Sequence, residues 1–172
     1  IITVVHVTAL AVGATAIAAP TKLLLMPLLA VGVVWALRGA ISRTPVILLL
    51  IALGLSWLGD GAGTFFPFAP TVPMMLLCFG LAHVAYIVLF WRFLSRDPVP
   101  AWALVYAVWW GALLAVLWPH LGALLLPVAV YGLVLGGTAV AASRARAMIA
   151  VGGAFFLTSD SILAFELFWP EA

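Results

Sequence analysis

The chain has 172 residues, 67% of them hydrophobic and only 7% charged, with a formal net charge of +2. Too little polar sequence remains to clothe a soluble domain, so a water-soluble globular protein is excluded. The apolar runs lack the alternation of barrel strands, leaving an all-α, polytopic transmembrane helix bundle built as a single domain over residues 1–172. The sequence pI of 9.1 rests on a few arginines suited to a membrane surface, so no nucleic-acid partner is implied. Cys78 is the single cysteine; it rules out an internal disulfide and reads as an inert core residue.

Hydropathy and breakers predict seven spans, over about 1–18, 20–38, 44–61, 71–92, 99–118, 120–142 and 145–168. The chain begins at Ile1 without a basic segment and ends at Trp169-Pro170-Glu171-Ala172, so both ends read as trimmed. Pro20, Pro45, Pro70, Pro73, Pro98, Pro100 and Pro119 fall near the expected junctions, where a helix must start or stop. Pro27 and Pro127 fall inside spans, where a proline kinks the helix and frees a carbonyl for another partner. Short connections predict antiparallel packing of sequence neighbours.

Arg38 and Arg43 flank the second connection, Arg92 and Arg96 the fourth, and Arg144 and Arg146 the sixth. The positive-inside tendency therefore places the even connections in the cytoplasm, with the multi-pass chain expected in a bacterial plasma membrane. Lys22, Asp60 and Asp160 do not follow this pattern, because they lie within or at the ends of apolar runs. A charge at bilayer depth costs a few kcal/mol or more and normally faces a partner or a wet cavity. By helix rise, Lys22 stands about 24 Å from Arg38, Asp60 about 26 Å from Arg43 and Asp160 about 21 Å from Arg146. His83 stands about 14 Å from Arg92, so four helices are expected to bring polar groups to one pocket.

Each group has a plainer explanation. In GLSWLGD, Ser56 and Asp60 share a helix face, and Gly54 and Gly59 permit close approach, yet Asp60 could also be a solvated helix end. In GGAFFLTSDSILA, Gly152, Phe156 and Asp160 share a face, with Ser159 and Ser161 placed to donate to the carboxylate. A purely structural ion pair is the alternative there. Lys22, in TKLLLMPLLA, either snorkels outward, offsets a carboxylate or grips an anionic headgroup. His83 and Tyr86, in FGLAHVAYIVLF, share a face with Phe79 and Phe90, but a lone histidine there is often only a packing residue. His6 and His120 look incidental, Glu166 interfacial, and the eight tryptophans suit interface belts. No HxxH, HExxH or GxSxG is present, so neither a metal site nor a serine hydrolase is expected, and no cofactor is implied.

Four segments together resemble the YhhN-like lysoplasmalogenase family of integral membrane proteins. They are Thr21-Lys22 through Leu29; Ser56, Gly59 and Asp60; Gly80, His83 and Tyr86; and Phe156, Ser159, Asp160 and Ser161. The match is collinear over nearly the whole chain. Family members have eight spans, so this chain stops one short of the pattern, and GAGTFFPFAP after Asp60 is more polar than the pattern there. The resemblance implies hydrolysis of the vinyl-ether bond of a lysophospholipid substrate, giving a fatty aldehyde and a glycerophospho-headgroup. It implies Asp60 and Asp160 as catalytic carboxyls, with Lys22, Ser56, His83, Tyr86, Ser159 and Ser161 binding substrate. A transporter or lipid-binding protein using the same polar groups is the main competing class, and a structural protein fixed in register by buried ion pairs is another.

Overall fold

The computed structural model describes residues 2–41 and 43–169, all of whose regular structure is helical. Seven helices there have ten or more residues: α1 (Ile2–Ala11), α2 (Thr15–Ala36), α3 (Thr44–Asp60), α5 (Thr71–Leu89), α6 (Leu104–Leu121), α7 (Leu125–Ser143) and α8 (Ala147–Phe168). A single turn, α4 (Ala62–Phe65), follows α3, and α5 continues as a π-helical turn over Phe90–Leu94. Four stretches are long and apolar enough to cross a membrane: Thr15–Ala36, Thr71–Leu94, Ala101–Ser143 and Ala147–Phe168. The chain is accordingly a multi-pass membrane protein, whereas α1 and α3, with 10 and 17 residues, fall short of that length. Side chains such as Leu104, Val108, Leu126 and Phe155 are exposed, a surface that lipid tolerates and water does not.

The first boundary differs from expectation. α1 stops at Ala11, and Gly13 turns the chain with φ of +69°, a conformation that favours glycine. Pro20 therefore lies inside α2, not at a junction. Membrane helices tolerate such a proline because neighbours re-satisfy the freed groups. Pro119 likewise lies inside α6, which runs on to Leu121, and Gly122 makes the turn with φ of +49°. Pro127 falls in the first turn of α7, where its missing N–H has no helical partner to lose, so the interior kink expected there does not arise. Pro45 and Pro73 sit in the first turns of α3 and α5, as expected. Expectations for Ile1 and for Pro170, Glu171 and Ala172 lie outside the described residues.

Internal contacts divide the chain into two compact units, Ile1–Ala82 and His83–Ala172, and the division falls within α5. In the first, α1 folds back on α2 and α2 on α3. In the second, α6 and α7 form an antiparallel hairpin against which α8 packs. As one rod, Ala101–Ser143 would reach about 65 Å, twice the hydrocarbon thickness, so the reversal at Gly122 makes two elements of it. Burial is carried by small residues, with Ala52, Ala141 and Ala142 inaccessible, and by Leu117. Lipid is as apolar as leucine, so close packing and interhelical hydrogen bonds hold these helices together rather than hydrophobic burial.

Candidate functional site

In the first unit, the antiparallel pairing of α2 and α3 brings the start of one to the end of the other. Lys22 Nζ lies 3.3 Å from Asp60 Oδ1, with the lysine side chain 48% exposed and the carboxylate 13%. Asp60 is the last residue of α3, where the partial negative charge of the helix end disfavours an anion. The ammonium offsets both charges. Of the three roles open to Lys22, offsetting a carboxylate is thus the one this unit displays.

Trp57, one turn before Asp60, donates its indole N–H to the Leu23 carbonyl over 2.9 Å. That carbonyl is four residues before Pro27 and loses its helical partner because proline has no N–H. The freed carbonyl expected from Pro27 is therefore filled by Trp57, which ties α3 to α2 beside the ion pair. Ser56 is buried, and its hydroxyl has no hydrogen-bond partner among the described residues. A Cβ at Gly59 would stand 2.9 Å from the Phe79 ring, so this glycine does admit a close neighbour. Gly54 does not: it is exposed, and a Cβ there meets nothing within 4 Å.

His6 is more than incidental. Its Nδ1 lies 3.0 Å from Thr21 Oγ1, and it is within electrostatic reach of Asp60. Only the fold-back at Gly13 brings it there, a turn that hydropathy does not mark.

In the second unit, Asp160 on α8 accepts a hydrogen bond from the phenol of Tyr131 on α7. Both line a small, partly open apolar cavity. Its walls include Trp110, Leu113 and Leu117 from α6, Val128 and Leu135 from α7, and Ala164 from α8. The serines beside Asp160 do not serve it as expected. Ser161 donates to the Leu157 carbonyl over 2.7 Å and accepts from Trp109 Nε1 over 2.9 Å, while Ser159 is exposed. Adjacent residues on a helix point about 100° apart, so a flanking serine turns away from the acid's face. Gly152 is also exposed; the glycine that lets α8 approach α7 is Gly153, where a Cβ would lie 2.9 Å from Ala142 Cβ.

His83 is buried at 1% exposure, with Nδ1 3.1 Å from Thr138 Oγ1. Its ring meets Phe156 edge-on at 4.9 Å and Tyr131 at 5.8 Å between centroids. Tyr86 lies 6.2 Å from it and stacks on Phe90. His83, Tyr131, Phe156 and Asp160 thus form a continuous group. Sequence reading missed Tyr131 and Thr138. They are seven apart, two turns on one face, and with Ser143 are the only residues of α7 with polar side chains, which is the signal that could have found them. His120 rests against Trp169 at 5.0 Å, and Glu166 is exposed.

At one end of this unit the arginine connections meet. Arg96 N donates to the Arg144 carbonyl, Arg144 Nε donates to the Asp97 carbonyl, and the Arg144 guanidinium lies 4.1 Å over the Trp91 ring. The fourth and sixth connections therefore share a face, as one-sided arginine placement requires. Among the described residues, no group of three His, Cys, Asp or Glu side chains is placed to hold a metal ion.

Compared with known protein families, the chain matches the YhhN family over residues 17–172. No curated protein and no solved structure matches it.

Proposed function

Since the chain belongs to the YhhN family, we propose that it is a lysoplasmalogenase-like hydrolase of the membrane. It would cleave the vinyl-ether bond of a lysophospholipid, releasing a fatty aldehyde and a glycerophospho-headgroup. The observation that carries this reading is the Asp160 carboxyl group on the wall of an apolar cavity, with a phenol to hold it. An alkenyl chain suits such walls, and an acid beside it supplies the one thing the bond needs.

The chemistry starts with a proton. In its protonated state, Asp160 gives that proton to the alkenyl carbon remote from oxygen, and the double-bond electrons form the new C–H bond. The resulting oxocarbenium ion takes up one water and loses a proton, and the hemiacetal collapses to aldehyde and alcohol. Glycosidases meet a similar cation with carboxyl groups. Tyr131 orients the Asp160 carboxyl in either state, because a protonated carboxyl still accepts at its carbonyl oxygen. His83 and Tyr86 orient water or the glycerol hydroxyl. In the first unit, Lys22, paired with Asp60 one turn beyond Ser56, offers a cationic group suited to an anionic phosphate. The reading places the arginine-bearing connections in the cytoplasm.

The test is to incubate the purified protein with a panel of alkenyl, alkyl and acyl lysolipids and identify products by mass spectrometry. Aldehyde and glycerophospho-headgroup from the alkenyl lipids alone are expected. Fatty-acid release from acyl lipids, or vesicle uptake of lipid without turnover, would replace this reading with another hydrolase or a transporter.

A further inference from the structure

His83 Nε2 is buried and has no hydrogen-bond partner among the described residues. A buried polar atom left unpaired is uncommon enough to need an explanation. The other ring nitrogen supplies it. Thr138 Oγ1 has one proton and three acceptors in range: the Val134 carbonyl at 3.0 Å, His83 Nδ1 at 3.1 Å and the His83 carbonyl at 3.4 Å. A threonine within a helix characteristically spends its proton on the carbonyl four residues back. With the proton on Val134, the Thr138 oxygen is left to accept, and His83 Nδ1 must carry the hydrogen. The opposite assignment would bury an unpaired N–H at Nε2, the rarer kind of orphan.

We infer that Thr138 holds His83 as the tautomer protonated at Nδ1, so that Nε2 is an acceptor reserved for a ligand that brings a hydroxyl group. The inference rests on the proposed hydrolase reading for the ligand's identity, the free glycerol hydroxyl next to the ether. His83 stands at the right station for that, since Tyr131 touches both its ring and the Asp160 carboxylate. Phe156, four residues before Asp160, is half-buried and packs edge-on against His83, nearer than Tyr131 or Tyr86. A bare nitrogen accepts from a hydroxyl but offers nothing to a methyl ether. The site therefore selects lipids with a free hydroxyl and rejects those in which it is capped. Thr138 is the positioning residue, and its replacement frees the ring to carry its proton on Nε2, where it can donate to either oxygen.

The experiment compares an alkenyl lysolipid with its 2-O-methyl analogue in the wild type, Thr138→Val and Thr138→Ser, and reads the histidine tautomer by 15N NMR in detergent. The His83 signals are assigned by their loss in His83→Gln. Expected are Nδ1 protonation in the wild type and a roughly ten- to hundredfold preference in kcat/KM for the free hydroxyl. Thr138→Val shifts the ring toward Nε2 protonation and reduces the preference severalfold, mainly by improving the O-methyl substrate, and Thr138→Ser restores both. A wild-type ring protonated at Nε2, or an unchanged preference in folded Thr138→Val, overturns the inference. A protein inactive on both lipids whose tautomer still responds to Thr138→Val supports the tautomer and overturns the hydrolase reading.

Discussion

Asp60 and Asp160 are the same side chain in two settings. Asp60 closes α3 against an ammonium 3.3 Å away, so its charge is matched by a charge. Asp160 stands within α8 and receives a neutral phenol on the wall of an apolar cavity. An ion pair favours the ionised form of a carboxylate and costs stability when either partner is lost. A phenol can orient a carboxyl in either protonation state, which is what the proposed proton transfer requires. The first arrangement suits holding and the second suits transfer.

The sharpest break in this comparison is Asp160→Asn. It keeps the shape and the bond from Tyr131 but removes the transferable proton, so aldehyde release should fall by roughly a hundred- to ten-thousandfold, with the protein still monodisperse in detergent. Asp60→Asn removes the charge that Lys22 faces and should instead show itself as lower heat resistance in detergent. Full activity in Asp160→Asn discards its role as the acid, and unchanged heat resistance in Asp60→Asn discards the pairing.

Next come the glycines that let the helices meet. Gly153→Ala drives a methyl onto Ala142 Cβ and towards the Ala139 backbone, neither of which can swing away. Overpacking of that kind costs about 1–3 kcal/mol. Gly59→Ala meets the Phe79 ring, a side chain able to turn, and should cost less, while Gly54→Ala meets nothing and should be neutral. Thermal midpoints of the three purified variants check the order.

Tyr131→Phe removes one buried hydrogen bond, worth about 1 kcal/mol, and should lower turnover about tenfold without abolishing it. The smallest effect belongs to the ion pair as a contributor to stability. A double-mutant cycle of Lys22→Met and Asp60→Asn should give a coupling of about 1 kcal/mol or less, because the lysine is half exposed. Its weakening in high salt would confirm a screened pair, and a salt-independent coupling would argue against one.

Much of this was legible in the chain. Lys22, Asp60, His83 and Asp160 stand out because charge and imidazole are rare in apolar runs, and the starts of α3 and α5 follow from Pro45 and Pro73 as expected. What sequence reading missed depends on folding back. Pro20 looks like a junction, but a membrane helix absorbs it, and Gly13 makes the turn instead. Ser159 and Ser161 look like donors to Asp160 because they adjoin it in sequence; helical geometry turns them away, and the donor comes from Tyr131, 29 residues earlier. Thr138 and His6 have partners 55 and 15 residues distant, and a lone hydroxyl or imidazole near apolar neighbours carries no mark of either.

The most direct measurement is turnover of an alkenyl lysolipid by the wild-type protein in heavy water. If an enzyme acid protonates carbon, each fatty aldehyde released should carry one deuterium on the carbon next to its carbonyl, and the label should disappear with activity in Asp160→Asn. Aldehyde formed without that deuterium, or formed with it at an undiminished rate by Asp160→Asn, would contradict proton delivery from this carboxyl.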